Sequence, residues 1–210
     1  MSYAKISYSH LGNYHCPKCL FTNPKAKQYV IKSALTGNYN LYNLTAAVLA
    51  ADKIFGVTPY ASTVALASLT PAFGRQETIE IDTKKIMILL SKNPTGLNES
   101  IEICLENNSS SILLLLNDRI PDGRDISWIW DVDFEKLLDS KAKIYVSGDR
   151  AYDMANRLLF AGITHEVFDN YEVAYKTAIT DTPKGKTLTV LPTYSAMLEI
   201  RKLISGKSIL

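Results

Sequence analysis

The chain has 210 residues, 47% of them hydrophobic and 21% charged, with a formal net charge of +2. That composition fits a globular protein of one or two domains and gives no electrostatic reason to expect a nucleic-acid or membrane partner. No apolar run approaches the roughly 18–20 residues of a membrane span, and residues 1–8 lack the apolar stretch of a signal peptide. The three cysteines do not make a disulfide framework, so the expected compartment is cytoplasmic.

Near the start, Cys16-Pro17-Lys18-Cys19 has the spacing that lets two thiolates reach one tetrahedral zinc ion. A structural zinc site needs four ligands. His10 and His15 are nearby supplements, and Cys104 stands alone in an amphipathic helical pattern. The site is therefore either incomplete or missing a half that would precede Met1. A redox role for the pair lacks the preceding strand of a thioredoxin context. Tyr29, Val30 and Ile31 then read as a strand.

From Asn40 the apolar residues recur at helical spacing as far as Ile54, and Gly56 ends that helix. Asn40 and Asn43 lie three apart behind Gly37, on one face of its first turn. A single Asn there would be an N-cap; two suggest a side-chain amide offered to a ligand edge. A second helix over 59–69 leads to Gly74, Arg75 and Glu77. These read either as an ordinary surface pair or as an arginine meeting phosphate or ribose.

Beyond Thr78, strands and helices alternate. Strands are expected over 86–90, 112–116, 143–146, 165–168 and 187–191, and helices over 97–106, 134–138, 150–160, 171–180 and 194–203. Five strands in this arrangement predict a doubly wound, largely parallel sheet. Lys92 and Asn93 follow the first of them, in a loop that is either functional or a plain Asn-Pro turn. Gly185-Lys186-Thr187 imitates the end of a phosphate-binding loop. The glycine required five positions before Gly185 is Thr180, however, and a strand follows instead of a helix.

The stretch 120–135 follows the apolar strand 112–116. It crowds Asp122, Asp125, Asp131, Asp133 and Glu135 around Pro121, Gly123 and both tryptophans, Trp128 and Trp130. Pro-Asp-Gly is turn chemistry, and loops beyond strand C-termini are where open α/β sheets place ligands and chemistry. Read from its residues alone, the stretch is either an acidic site or a loop capped by Asp125 or Ser127 with the tryptophans as packing.

Taken together, these motifs resemble a known family. Gly37-x-x-Asn40-x-x-Asn43 and Gly74-Arg75-x-Glu77 resemble the adenine- and ribose-side motifs of Mur ligases, with Tyr39 where a His is often found. Three narrower motifs are Lys92-Asn93-Pro94-x-Gly96, Asp122-Gly123-x-Asp125-x-Ser127-Trp128-x-Trp130-Asp131 and Leu191-Pro192-Thr193-Tyr194-x-Ala196-Met197. They resemble the C-terminal domain of the Mur-ligase-like (MurT-type) subunits of lipid II isoglutaminyl synthases.

The resemblance implies an α/β protein in three parts. A C-terminal doubly wound, Rossmann-like domain of Mur ligase type would span 81–210, and a fragment of the Mur ligase central, ATP-binding domain 28–80. Half of a zinc ribbon would span 1–27, with Cys16 and Cys19 as ligands of a structural Zn2+. The resemblance also implies ATP and Mg2+, with Asn40, Asn43, Arg75, Lys92 and Asn93 on the nucleotide side. A GatD-type class I glutamine amidotransferase subunit would be the partner and lipid II the substrate, met at the inner membrane surface. In that family an aspartate of this domain completes the partner's Cys–His pair, which makes Asp125 and Asp122 the catalytic candidates.

Asp131 is expected to brace the acidic loop, and Tyr194 and Arg201 of the last helix to face the partner. The family's P-loop and first C-x-x-C would precede Met1, so the chain is expected to be the C-terminal half of a longer protein, inactive alone. The alternatives are a free-standing Mur-type amino-acid ligase and a non-catalytic interaction module.

Overall fold

The computed structural model of the chain describes residues 2–7, 11–22, 35, 37–68 and 75–205. They belong to two compact units, Met1–Lys32 and Ser33–Leu210. The strand expected at Tyr29, Val30 and Ile31 lies outside the described residues, as do His10 and Gly74.

In the first unit, β1 (Ser2–Ser7) and β2 (Leu11–His15) form an antiparallel hairpin. The chain then turns through Cys16-Pro17-Lys18-Cys19, and Thr22 returns to bridge His15.

The second unit opens with α1 (Asn38–Phe55) and α2 (Pro59–Ala67). Gly37 precedes α1 at φ 89°, and a Cβ there would lie 3.2 Å from both Ile103 Cδ1 and the Tyr39 ring. Only glycine serves where the backbone is both left-handed and this close to its neighbours. The oxygen of Thr58 accepts from Ala61 N–H at 3.3 Å and Pro59 occupies the first turn, so α2 starts by the usual cap chemistry.

Six strands follow: β3 (Arg75–Ile81), β4 (Lys84–Leu89), β5 (Ser111–Leu115), β6 (Lys143–Ser147), β7 (Glu166–Val167) and β8 (Thr187–Pro192). They hydrogen-bond in the order β3-β4-β8-β5-β6-β7. The five expected strands pair in parallel, while β3 adds an antiparallel edge. Its direction follows from its link to β4, only Asp82 and Thr83, at φ 46° and 70°. A link that short joins antiparallel neighbours, whereas a parallel pair needs a long crossover.

Helices cover both faces. On one side lie α3 (Pro94–Glu106) and α4 (Ala151–Phe160), with short 3-10 turns at Ser127–Asp131 and Phe134–Leu137. On the other lie α5 (Tyr171–Asp181) and α6 (Tyr194–Ser205). The helix expected over 134–138 is thus a single tight turn, preceded by another where only a loop was expected. Every residue of β5 is buried; Ile112 and Leu114 point to the α3 side, Leu113 and Leu115 to the α6 side. This is why the strand reads as an unbroken apolar run rather than an alternating one.

Candidate functional site

The loops that follow β4, β8 and β5 share one edge of the sheet, because those strands run parallel. At that edge β5 hands over to Asn117, whose buried side chain ties three elements together. Its Oδ1 accepts from the backbone of Asp149 at 2.9 Å and from the Tyr171 hydroxyl, and its Nδ2 donates to Ser195 Oγ at 2.8 Å. Ser195, in the first turn of α6, passes the chain on. Its hydroxyl and backbone N–H donate to the two oxygens of Asp122 at 2.5 and 2.7 Å. A carboxylate at the start of a helix also meets the positive end of the helix dipole. Asp122 is 9% exposed and fully engaged. It anchors the acidic turn to α6.

Asp125 is placed differently. It is exposed, and its Oδ1 accepts from the Ser127 backbone N–H at 2.8 Å. The hydrogen bonds from Ser127, side chain first and backbone second, hold its carboxyl below the ordinary aspartate value, so it is an anion at neutral pH. Of the two candidate aspartates, the structure buries Asp122 and presents Asp125. Asp122 braces the turn, while Asp131 is exposed.

Arg157 of α4 fixes the rest of the stretch from beneath. Only 6% exposed, it donates from Nη2 to Val132 O at 2.6 Å and to Glu135 Oε2 at 3.0 Å. Its guanidinium lies 5.8 Å from the centre of the Trp130 ring and 5.4 Å from that of Phe134. Hydrogen bonds from Arg157 hold Glu135 below its ordinary value. Trp128 packs against the α3-side core, while Trp130 stays 48% exposed, edge-on to Phe160 at 5.4 Å. Asn98 of α3 accepts from Asp133 N–H at 2.8 Å. The acidic stretch is therefore held by α3, α4 and α6 at once. Its presented residues sit on a rigid frame.

The nucleotide-side candidates occupy other elements. Asn40 is buried and Asn43 exposed on the first turn of α1. Lys92 is exposed, and Asn93 is the N-cap of α3, its Oδ1 accepting from Gly96 N–H at 2.8 Å. Arg75 is the first residue of β3, paired with Leu89. Arg201, expected to face a partner, is turned inward instead: it donates to both oxygens of Glu77 at 2.9 and 3.0 Å. A largely buried charge needs a counter-charge more than it needs solvent. Asn117, Ser195 and Arg157 carry no motif of their own, and sequence reasoning passed over all three.

In the first unit, the N–H groups of Cys19 and then Lys18 point at the Cys16 thiol and lower its pKa. That suits a metal thiolate. Among the described residues, however, no three His, Cys, Asp or Glu side chains converge as a metal-binding group. Cys16 and Cys19 fit half of a zinc site.

A cavity of about 630 Å3 opens at the opposite edge of the sheet, walled by Asn108, Lys141, Lys143, Asp181 and Lys186 among others. Lys143 pairs with Asp181 there at 2.7 Å, so those two charges offset one another. Lys186 of the false phosphate loop lines this cavity too.

The second unit is thus an α/β domain, a mixed sheet with helices on both faces, of the kind found at the C-terminus of Mur ligases. The same fold occurs in the pseudomurein peptide ligase type C of Methanothermus fervidus (TM-score 0.64, 19% identity, covering 98% of this chain and 47% of that one). It also occurs in the Mycobacterium tuberculosis folylpolyglutamate synthase complexed with ADP (TM-score 0.60, 20% identity, 85% and 42%). Residues 90–197, just over half of the chain, match the MurT ligase C-terminal family, and the chain belongs to that family. It is 33% identical over 233 residues to a Streptococcus pneumoniae protein, the subunit MurT of lipid II isoglutaminyl synthase (glutamine-hydrolyzing). That match covers 100% of this chain and 52% of the relative, so the chain spans about half the relative's length. The family and the Mur-ligase-type α/β fold expected from the motifs are borne out.

Proposed function

We propose that this chain forms part of the synthetase side of a glutamine-dependent amidotransferase. It would amidate the α-carboxylate of D-glutamate in lipid II using ATP, with a GatD-type class I glutaminase as partner, at the cytoplasmic face of the membrane. The pneumococcal relative is a subunit of a glutamine-hydrolysing lipid II isoglutaminyl synthase, which supports the reaction. A solved neighbour of the same fold holds ADP, which supports ATP as co-substrate. A free carboxylate resists ammonia because its leaving group is oxide; an acyl phosphate releases phosphate instead.

Asn40, Asn43, Arg75, Lys92 and Asn93 are the residues proposed for the nucleotide and its Mg2+. Asn93 would use its Nδ2, because its oxygen is occupied by the cap of α3. Zn2+ would need two ligands besides Cys16 and Cys19.

One observation carries the partner's half of the reading: an ionised, exposed Asp125 on a turn fixed by Asp122 and Arg157. Such a carboxylate can accept the N–H of a neighbouring subunit's imidazole, hold its tautomer and stabilise its cation. Asp125→Asn keeps the oxygen that accepts from Ser127 but loses the charge. Glutamine hydrolysis by the assembled complex should fall about 10^4-fold, the loss seen when a triad aspartate becomes asparagine in a serine protease. Co-elution with the glutaminase should be unchanged. Full glutaminase activity in the variant would remove Asp125 from the reaction.

A further inference from the structure

Gln76 takes φ 61° in the interior of β3, a conformation that L side chains rarely adopt. It is the extra residue of a bulge: Glu77 pairs with Ile88 and Arg75 with Leu89, so nothing stands opposite Gln76. Ile88 belongs to the α6-side core and Leu89 to the α3-side core. Glu77, opposite Ile88, accordingly meets Arg201 of α6 at 2.9 Å.

Tyr39, from the first turn of α1, packs against that same α3-side core. Gln76 is 5% exposed, and its Nε2 donates to the Tyr39 hydroxyl at 3.2 Å. Ile103 of α3 and the Tyr39 ring close around Gly37, seating the start of α1 firmly. The inserted residue thus ties β3 to the first turn of α1 through its own side chain.

We infer that Gln76 is a positioning residue for an adenine nucleotide. Its left-handed backbone aims its side chain at Tyr39, and that bond holds the first turn of α1, which carries Asn40 and Asn43, in place against β3. This rests on the nucleotide reading proposed above.

The test is a steady-state titration of ATP in the assembled amidating complex, with the melting temperature followed alongside. Valine, branched at Cβ, resists positive φ, whereas glycine accepts it. Gln76→Val should raise the KM for ATP about 10-fold while kcat changes less than about 2-fold, the signature of lost uniform binding. Tyr39→Phe, which removes only the hydroxyl, should raise it about 3-fold, and Gln76→Gly should match Tyr39→Phe rather than Gln76→Val. Arg75→Ala is the control for the underlying reading. If it raises KM while the Gln76 and Tyr39 variants keep the wild-type value, the positioning role is overturned, whatever happens to their stability. If Arg75→Ala leaves KM unmoved, the nucleotide reading of this face falls and the inference falls with it. Should Gln76→Val not fold, wild-type KM values in Gln76→Gly and Tyr39→Phe overturn the inference equally.

Discussion

The carboxylate of Asp122 takes both donors of Ser195, the backbone N–H at 2.7 Å and the hydroxyl at 2.5 Å, across 73 residues of sequence. Removing it strands a buried N–H and a buried hydroxyl, which costs about 1–3 kcal/mol. Asp122→Ala should therefore lower the melting temperature by several degrees, at about 2–4 °C per kcal/mol for a chain of this size. Asp125→Asn should leave it within about 1 °C, as exposed substitutions usually do. A double-mutant cycle with Ser195→Ala would show coupling of about 1 kcal/mol or more if the contact is direct. Strict additivity would remove Asp122 as the anchor.

Arg157 makes a second, independent prediction. Arg157→Met keeps an apolar stem but loses the bonds to Val132 and Glu135 and the charge beneath Trp130. The expected loss is about 2–3 kcal/mol, from hydrogen bonds to a charged group and a cation–π contact. In a Trp128→Phe background, the fluorescence anisotropy of Trp130 should fall, because its ring has lost its floor. Unchanged anisotropy would mean that Phe160 alone holds the indole.

The thiols should react in a fixed order. Neighbouring N–H groups lower the Cys16 pKa, while burial pushes Cys104 up to about 12. The thiolate is the reactive form. At neutral pH an alkylating reagent should take Cys16 first, and Cys104 only after the sheet unfolds. Added Zn2+ should protect Cys16 and Cys19 together if they share one ion. Labelling of Cys104 in the folded protein would contradict its placement.

Acid should weaken the fold through carboxylates whose pKa is depressed in the native state. Arg157 lowers Glu135, and Lys143 followed by Tyr145 lowers Asp181. For such groups the contribution is present above the unfolded value and is lost as pH falls through the folded one. Urea midpoints should thus be flat near neutrality and decline below the ordinary carboxylate values of 4.5 and 3.8. Glu135→Gln should start lower at neutral pH and decline less. A variant whose midpoint falls in parallel with wild type would take Glu135 out of the acid response.

The parallel core was legible in the sequence because apolar runs such as Ile112–Leu116 alternate with amphipathic helices, and burial on both faces leaves little else to read. β3 was not. Its bulge at Gln76 breaks the two-residue period near its start, and the segment was read as a Gly-Arg-x-Glu motif with no strand expected. The acidic turn was found, but the division of labour within it depends on Ser195, which approaches only after the sheet has formed. Nothing local distinguishes Asp122 from Asp125. Arg157 looked like any cation on a helix, since its burial arises from two aromatic rings brought in by the 3-10 turns. Gly148 gave no signal either. A Cβ there would lie 2.4 Å from Leu116 O, a clash visible only once β5 and β6 are side by side.

The two margins of the sheet carry a last consequence. On one side β7 contributes only Glu166 and Val167, and on the other β3 is kinked by its bulge and exposes Thr78 and Glu80. Neither margin offers a long, straight row of unsatisfied amides on which a foreign strand could grow. Copies of this domain should therefore resist stacking into continuous ribbons even when crowded. Any assembly they enter would be built through side chains on helices and turns, and so would depend on which protein is met.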